Sequence, residues 1–92
     1  MIATKEEIIK VLTQLLQPSY LNVQDEAHLH ADHTNAGLGH FRVTIVADCF
    51  IGKTRLTRHR MVYNAFKSLV GVSPHAVAIR ALTSDEYARF DL

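Results

Sequence analysis

The sequence predicts a two-layer α+β sandwich, a three-stranded mixed sheet with helices on one face, in the order α-β-β-α(α)-β-α. Three observations predict it. Apolar residues recur at helical spacing over residues 4–16 and 54–70. Apolar and polar residues alternate over residues 20–25, 40–48 and 75–82, the period of half-buried strands. The second helical segment separates the last two strands, and a strand reached through a helical crossover runs parallel to its predecessor. With 92 residues the chain is read as a single domain, residues 1–92, around one core.

Each element has its own signal. Thr4 followed three residues later by Glu7 is a capping-box pattern. Ile8, Val11, Leu12, Leu15 and Leu16 then form one apolar stripe, and Pro18 ends the helix. Leu21 and Val23 share a face of the first strand. Residues 26–39 are rich in His, Asp, Asn and Gly and read as a loop, long for so small a domain; such loops are commonly functional or disordered. In residues 40–48, Phe41, Val43, Ile45 and Ala47 point inward and Arg42 and Thr44 outward, and this strand pairs with the first as a hairpin. Phe50-Ile51-Gly52-Lys53 turns the chain. The helix of residues 54–70, in one piece or in two with a break near Arg58, carries Val62, Tyr63, Phe66, Leu69 and Val70 on its buried face, with Gly71 as its stop. In the third strand Val77, Ile79 and Ala81 share a face, and Thr83-Ser84-Asp85-Glu86 repeats the capping-box pattern at the start of a last short helix. Phe41, Val43, Ile45, Val62, Phe66, Val77 and Ile79 are expected to share one core with Leu12 and Leu15.

Composition narrows the class. Apolar residues make up 48% and charged residues 21%, which argues against disorder. The formal net charge is only +1, but its distribution is uneven. Between positions 48 and 85 no acidic residue occurs, while Lys53, Arg55, Arg58, Arg60, Lys67 and Arg80 do, so one face is expected to be positive. The single cysteine, Cys49, rules out a disulfide within the chain and fits a reducing compartment. No signal-peptide pattern opens the sequence and no apolar run approaches membrane-spanning length, so the expected location is the cytoplasm.

Several stretches read together. Asp25-Glu26-Ala27 follows the first strand, Gly39-His40-Phe41 opens the second, and Phe50-Ile51-Gly52-Lys53 follows it. The helix carries Arg58-His59-Arg60-Met61-Val62-Tyr63, and His75-Ala76-Val77 enters the third strand. In this order and spacing the chain resembles the BolA family over nearly its whole length. The Phe-x-Gly turn followed by Arg-His-Arg-x-Val-Tyr is the specific part. The resemblance implies a fold like the type-II KH domain and two activities. One is DNA binding in the control of cell shape and stress response. The other is complex formation with a monothiol glutaredoxin around a shared [2Fe-2S] cluster. Two departures stand out: no Gly-x-x-Gly loop of the KH type is present, and the segment after Asp25 carries His28, His30 and His33.

Six histidines are many for this length. In the family, the cluster-ligating positions are a His or Cys in the first hairpin loop and a His at the start of the last strand; His30 and His75 match them. Two imidazoles on one iron of a [2Fe-2S] centre are an established arrangement, and the missing thiolates would come from the glutaredoxin and glutathione. Two other readings of the His28-x-His30-x-x-His33 run stay open: solvated loop residues, or a zinc or copper site that lacks an obvious fourth ligand. His59 shares a helix face with Val62, Tyr63 and Phe66 and reads as a structural histidine; Cys49 reads as half-buried.

Lys53, Arg55, Arg58 and Arg60, continued by Lys67, form a basic strip that could meet DNA phosphates or an acidic protein surface, or simply be solvated. Nothing assembles into a catalytic set. There is no Gly-rich phosphate loop ending in Lys-Ser/Thr and no Gly-x-Ser-x-Gly elbow, and the chain reads as a non-enzyme without a small-molecule substrate.

Overall fold

A computed structural model describes residues 4–25, 41–66 and 77–90. The elements are α1 (Lys5–Leu16), β1 (Tyr20–Asp25), β2 (Phe41–Val46), a 3₁₀ turn (Asp48–Phe50), α2 (Arg55–Ala65), β3 (Val77–Leu82) and α3 (Ser84–Phe90). The order α-β-β-α-β-α is the predicted one. Residues 67–70, expected as the tail of the second helix, and Gly71, expected as its stop, lie outside the described residues.

All three helices start on a hydroxyl cap. The Thr4 hydroxyl accepts from the Glu7 N–H at 3.2 Å, and the Glu7 carboxylate accepts from the Thr4 N–H at 3.2 Å. Thr54 caps α2 by accepting from the Thr57 N–H at 3.1 Å. Thr83 and Glu86 repeat the reciprocal box at α3, at 3.3 and 2.7 Å. Each bond satisfies a helix-end donor that would otherwise lack a partner. α1 stops where Gln17 turns left-handed at φ 48°, directly before Pro18.

The sheet order is β1-β2-β3. β1 and β2 pair antiparallel from Tyr20↔Val46 to Asp25↔Phe41; β2 and β3 pair parallel from Phe41↔Val77 to Val46↔Leu82. Val23, Phe41, Val43, Ile45, Val77 and Ala81 are buried on one face, together with Ile8 and Leu12 of α1 and Val62, Ala65 and Phe66 around α2. On the other face Asn22, Gln24, Arg42, Ala78 and Arg80 are exposed. Its last row differs: Val46 and Leu82 are buried, and Tyr87 of α3 stacks on their neighbour Tyr20 with ring centroids 5.1 Å apart.

Three expectations are corrected and one open alternative is settled. Leu15 is 63% exposed and stands outside the core. The inward direction of α1 is taken by the i, i+4 row Ile8, Leu12 and half-buried Leu16, leaving Leu15 beside it in the last turn. α2 has no break at Arg58, because the Thr54 cap sets one continuous helix from Arg55. β2 ends at Val46 rather than running to residue 48, because Asp48–Phe50 winds into a 3₁₀ turn. That turn makes Phe50 a core residue at 0% exposure, although its sequence position reads as a surface turn. Gly52 follows at φ 76°, a conformation that side-chain-bearing residues rarely adopt.

α2 lies alongside the outer edge of β3 and runs antiparallel to it. Arg58 Nη1 donates to Ala81 O at 3.1 Å, and further along α2 the Tyr63 hydroxyl donates to Val77 O at 3.4 Å.

Candidate functional site

The two predicted ligands, His30 and His75, lie outside the described residues, as do His28, His33, His40 and Lys67. What is described is the frame from which they depart. Asp25, Phe41 and Val77 are register partners across the three strands and mark one end of the sheet. The segment carrying His30 joins the frame at Asp25 and Phe41; the segment carrying His75 joins it at Val77. Among the described residues no group of three or more His, Cys, Asp or Glu is placed to hold a metal ion.

Cys49 does not belong to that end. It follows the opposite end of β2, a strand of six residues that spans roughly 17 Å. Its Sγ donates to Leu16 O at 3.8 Å, and burial pushes the thiol pKa up from its ordinary value. A protonated, half-buried thiol is neither a ready nucleophile nor a ready metal ligand. The Cys49 thiol is therefore not a donor at the Asp25–Phe41–Val77 end.

The basic strip divides in two. Lys53, Arg55 and Arg60 are exposed. Arg58 is not part of that surface: its side chain is 12% exposed and turned into the fold. Its Nε donates to Lys53 O at 2.9 Å, and its Nη1 donates to Ala81 O at 3.1 Å and to Glu86 Oε1 at 2.6 Å. The Arg58 hydrogen bond, helped by the Thr83 N–H, holds the Glu86 carboxyl down to a pKa of about 2. Arg58 thus ties α2 to the β3–α3 corner, and its charge is matched locally.

Reading from sequence counted Arg80 with the positive face and set Arg42 outward on its strand, but did not join them to the strip. Arg42 and Arg80 stand exposed on the face away from the core, at outward positions of alternating strands. His59, half-buried, lines a cavity of about 430 Å³ together with Arg55 and Arg80. The signal was present in the strand alternation, but a search confined to one helix passes over it.

Residues 12–86 match the family model described as BolA-like protein. The DNA-binding transcriptional regulator BolA of Escherichia coli (strain K12) is 36% identical over 84 residues, spanning 90% of this chain and 78% of that one. The SufE-like protein 1, chloroplastic/mitochondrial, of Arabidopsis thaliana is 34% identical over 82 residues, which cover 82% of this chain and 22% of that protein. Among solved structures, the BolA domain of SufE1 from Arabidopsis thaliana superposes with a TM-score of 0.76 at 33% identity, covering 94% of this chain and 99% of that one. A bol-like protein from Babesia bovis superposes at 0.80 with 25% identity, covering 100% and 98%.

Proposed function

Because the chain belongs to the BolA-like protein family, we propose that it is a non-catalytic adaptor that binds a monothiol glutaredoxin around a shared [2Fe-2S] cluster, with His30 and His75 as its two ligands. The observation that carries this reading is the meeting of Asp25, Phe41 and Val77 at one end of the sheet, from which both histidine-bearing segments depart. The raised pKa of Cys49 and its place at the other end support a partner as the source of thiolate. The cluster would supply electron-transfer or cluster-transfer chemistry; this chain's part is to offer neutral nitrogen donors and a docking edge. Among the described residues no helix is long and apolar enough to cross a membrane, and a cytoplasmic site of action is part of the proposal.

The test is co-expression with a monothiol glutaredoxin, followed by visible absorption and circular dichroism of the purified complex. His75→Ala should abolish the mixed complex or convert its spectrum to that of glutaredoxin alone. His30→Ala should weaken it less, because His28 and His33 in the same segment offer substitute imidazoles. Acidification through the histidine range should destabilise the complex, since only neutral imidazole ligates iron. A His75→Ala complex with unchanged spectrum and stability sinks the reading.

A second reading is favoured by relatives named as DNA-binding transcriptional regulators and by the exposed Lys53, Arg55 and Arg60. DNA bound through this strip should lose affinity steeply with salt, and Arg60→Ala should reduce the salt slope by about one. Binding that barely responds to salt excludes this mode.

A further inference from the structure

Two phenol rings meet at the end of the sheet that leads into Cys49. Tyr20 opens β1 and Tyr87 stands in the middle of α3; their ring centroids lie 5.1 Å apart, with 25° between the ring planes. The contact is set from both sides. Tyr20 is in register with Val46, and Val46 with Leu82, so the Tyr20 ring falls in the apolar last row of the open face. α3 starts directly after β3, and the Thr83–Glu86 box and the Arg58–Glu86 bridge at 2.6 Å fix where the next residue, Tyr87, stands. Tyr20 is 41% exposed and Tyr87 half-buried, so a reagent in solution reaches the pair through Tyr20.

The third tyrosine of the chain is placed differently. Tyr63 donates its hydroxyl to Val77 O at 3.4 Å, at the opposite end of β3, and its ring meets Phe66 edge-on at 6.4 Å. Phenols couple when two phenoxyl radicals meet, and in free solution that meeting limits the yield. Two rings held in contact need no encounter; groups held in good geometry act at effective concentrations of about 10⁵ M or more. Tyr20 and Tyr87 have that arrangement.

We propose that Tyr20 and Tyr87 form an oxidative modification site, at which a one-electron oxidant couples the two rings into a dityrosine that staples α3 to β1. Each phenol gives up one electron and one proton. The two radicals pair to form a carbon–carbon bond between ring positions ortho to the oxygens. The two ortho hydrogens then move as protons to the oxygens, which restores both aromatic rings. The pair loses two hydrogen atoms in all, and one hydrogen peroxide takes them up and becomes two waters. Exposed Tyr20 is oxidised first, and electron exchange across the stack passes the oxidation on to Tyr87. The half-buried Cys49 thiol is the competing reductant at this end, and burial keeps it protonated and slow. The new bond closes the chain from β1 to α3, holds α3 over Val46 and Leu82, and restricts the unfolded chain.

The test uses the full chain without iron or glutaredoxin, so its outcome does not depend on the cluster reading. The protein is treated with a haem peroxidase and hydrogen peroxide. The expected product is a single chain with dityrosine fluorescence, a mass lower by two hydrogens, and a cross-linked peptide pair joining the Tyr20 and Tyr87 segments. Its yield should not depend on chain concentration, because both rings belong to one molecule. Tyr20→Phe and Tyr87→Phe preserve an aromatic ring at each position and should each abolish the single-chain product. Tyr63→Phe and Cys49→Ser should retain it. The product should unfold at higher urea than the untreated chain, and treated Tyr20→Phe should show no such shift. Cross-links found only between two chains, links that run through Tyr63, or a yield that collapses in Cys49→Ser would overturn the proposal. So would an unchanged mass under conditions that couple free tyrosine, or a urea midpoint that does not move.

Discussion

Arg58 holds three parts of the chain with one side chain: the Lys53 carbonyl before its own helix, the Ala81 carbonyl of β3, and the Glu86 carboxylate of α3. Replacing it with methionine keeps the apolar stem but leaves those acceptors without their donor, and Arg58→Met should lower unfolding free energy by about 2–3 kcal/mol. Equilibrium urea denaturation checks this. Glu86 gives the same contact a pH signature. Its folded pKa, about 2, lies below the ordinary value of 4.5, so its contribution is fully present above pH 4.5 and disappears as pH falls towards 2. In Glu86→Gln that acid-limb dependence should flatten, measured as unfolding free energy across this window against the parent chain. An unaltered slope would show that the bridge does not couple to folding. Sequence places Arg58 in a basic run and Glu86 in a capping box. It cannot show that they meet, because the meeting depends on how the crossover returns β3 to the sheet.

Helix α1 shows how far periodicity reaches. The stripe of Ile8, Val11, Leu12, Leu15 and Leu16 locates the helix and its general inward side, but Leu12 is 0% exposed and Leu15 63%. A stripe spans about 100° of the helix surface, and which residue at its margin is covered depends on what lies opposite. Leu12→Ala should therefore cost about 2–5 kcal/mol, the range for a buried leucine. Leu15→Ala should stay within about 0.5 kcal/mol, as at an exposed site. Thermal melts of the two variants separate these outcomes, and similar losses in both would contradict the placement of Leu15. Caps were the most legible local feature. Thr4–Glu7 and Thr83–Glu86 close as reciprocal boxes because the whole motif lies within four residues, where chain geometry alone brings the groups together.

At the scale of the whole molecule, strand alternation was enough to give the mixed sheet and its parallel third strand, since side-chain period and crossover length are local properties that dictate topology. The open face was legible too, through Arg42 and Arg80. What sequence could not give was the role of Phe50. A turn residue becomes the largest fully buried side chain among the described residues only when the 3₁₀ turn after β2 folds it under the sheet. Phe50→Ala should thus match Phe66→Ala, each costing about 3–5 kcal/mol, a large share of the about 5–15 kcal/mol available to a domain. Chemical denaturation of both variants tests this, and a tolerated Phe50→Ala would mean that the turn is not part of the core. The candidate site was only partly legible: Lys53, Arg55 and Arg60 are exposed as expected, whereas the cavity that sets Arg55 and His59 of α2 beside Arg80 of β3 exists only in the folded chain.

The central strand acquires its two neighbours at very different chain distances. β1 reaches β2 as a hairpin, while Val77 meets Phe41 only after the whole α2 crossover has folded back. Closing the larger loop loses more entropy before its contacts form, so the hairpin is expected to form before the parallel ladder. In that interval one side of β2 presents unpaired backbone groups, a template for another unfinished chain. The native molecule covers that side of β2 with β3, and β3 in turn has outward carbonyls engaged by Arg58 and Tyr63. Refolding yield from urea should accordingly fall as chain concentration rises, while the equilibrium midpoint stays constant. The sensitive species is the nascent hairpin, and the time it spends waiting for its third strand sets how crowded a solution the protein can fold in.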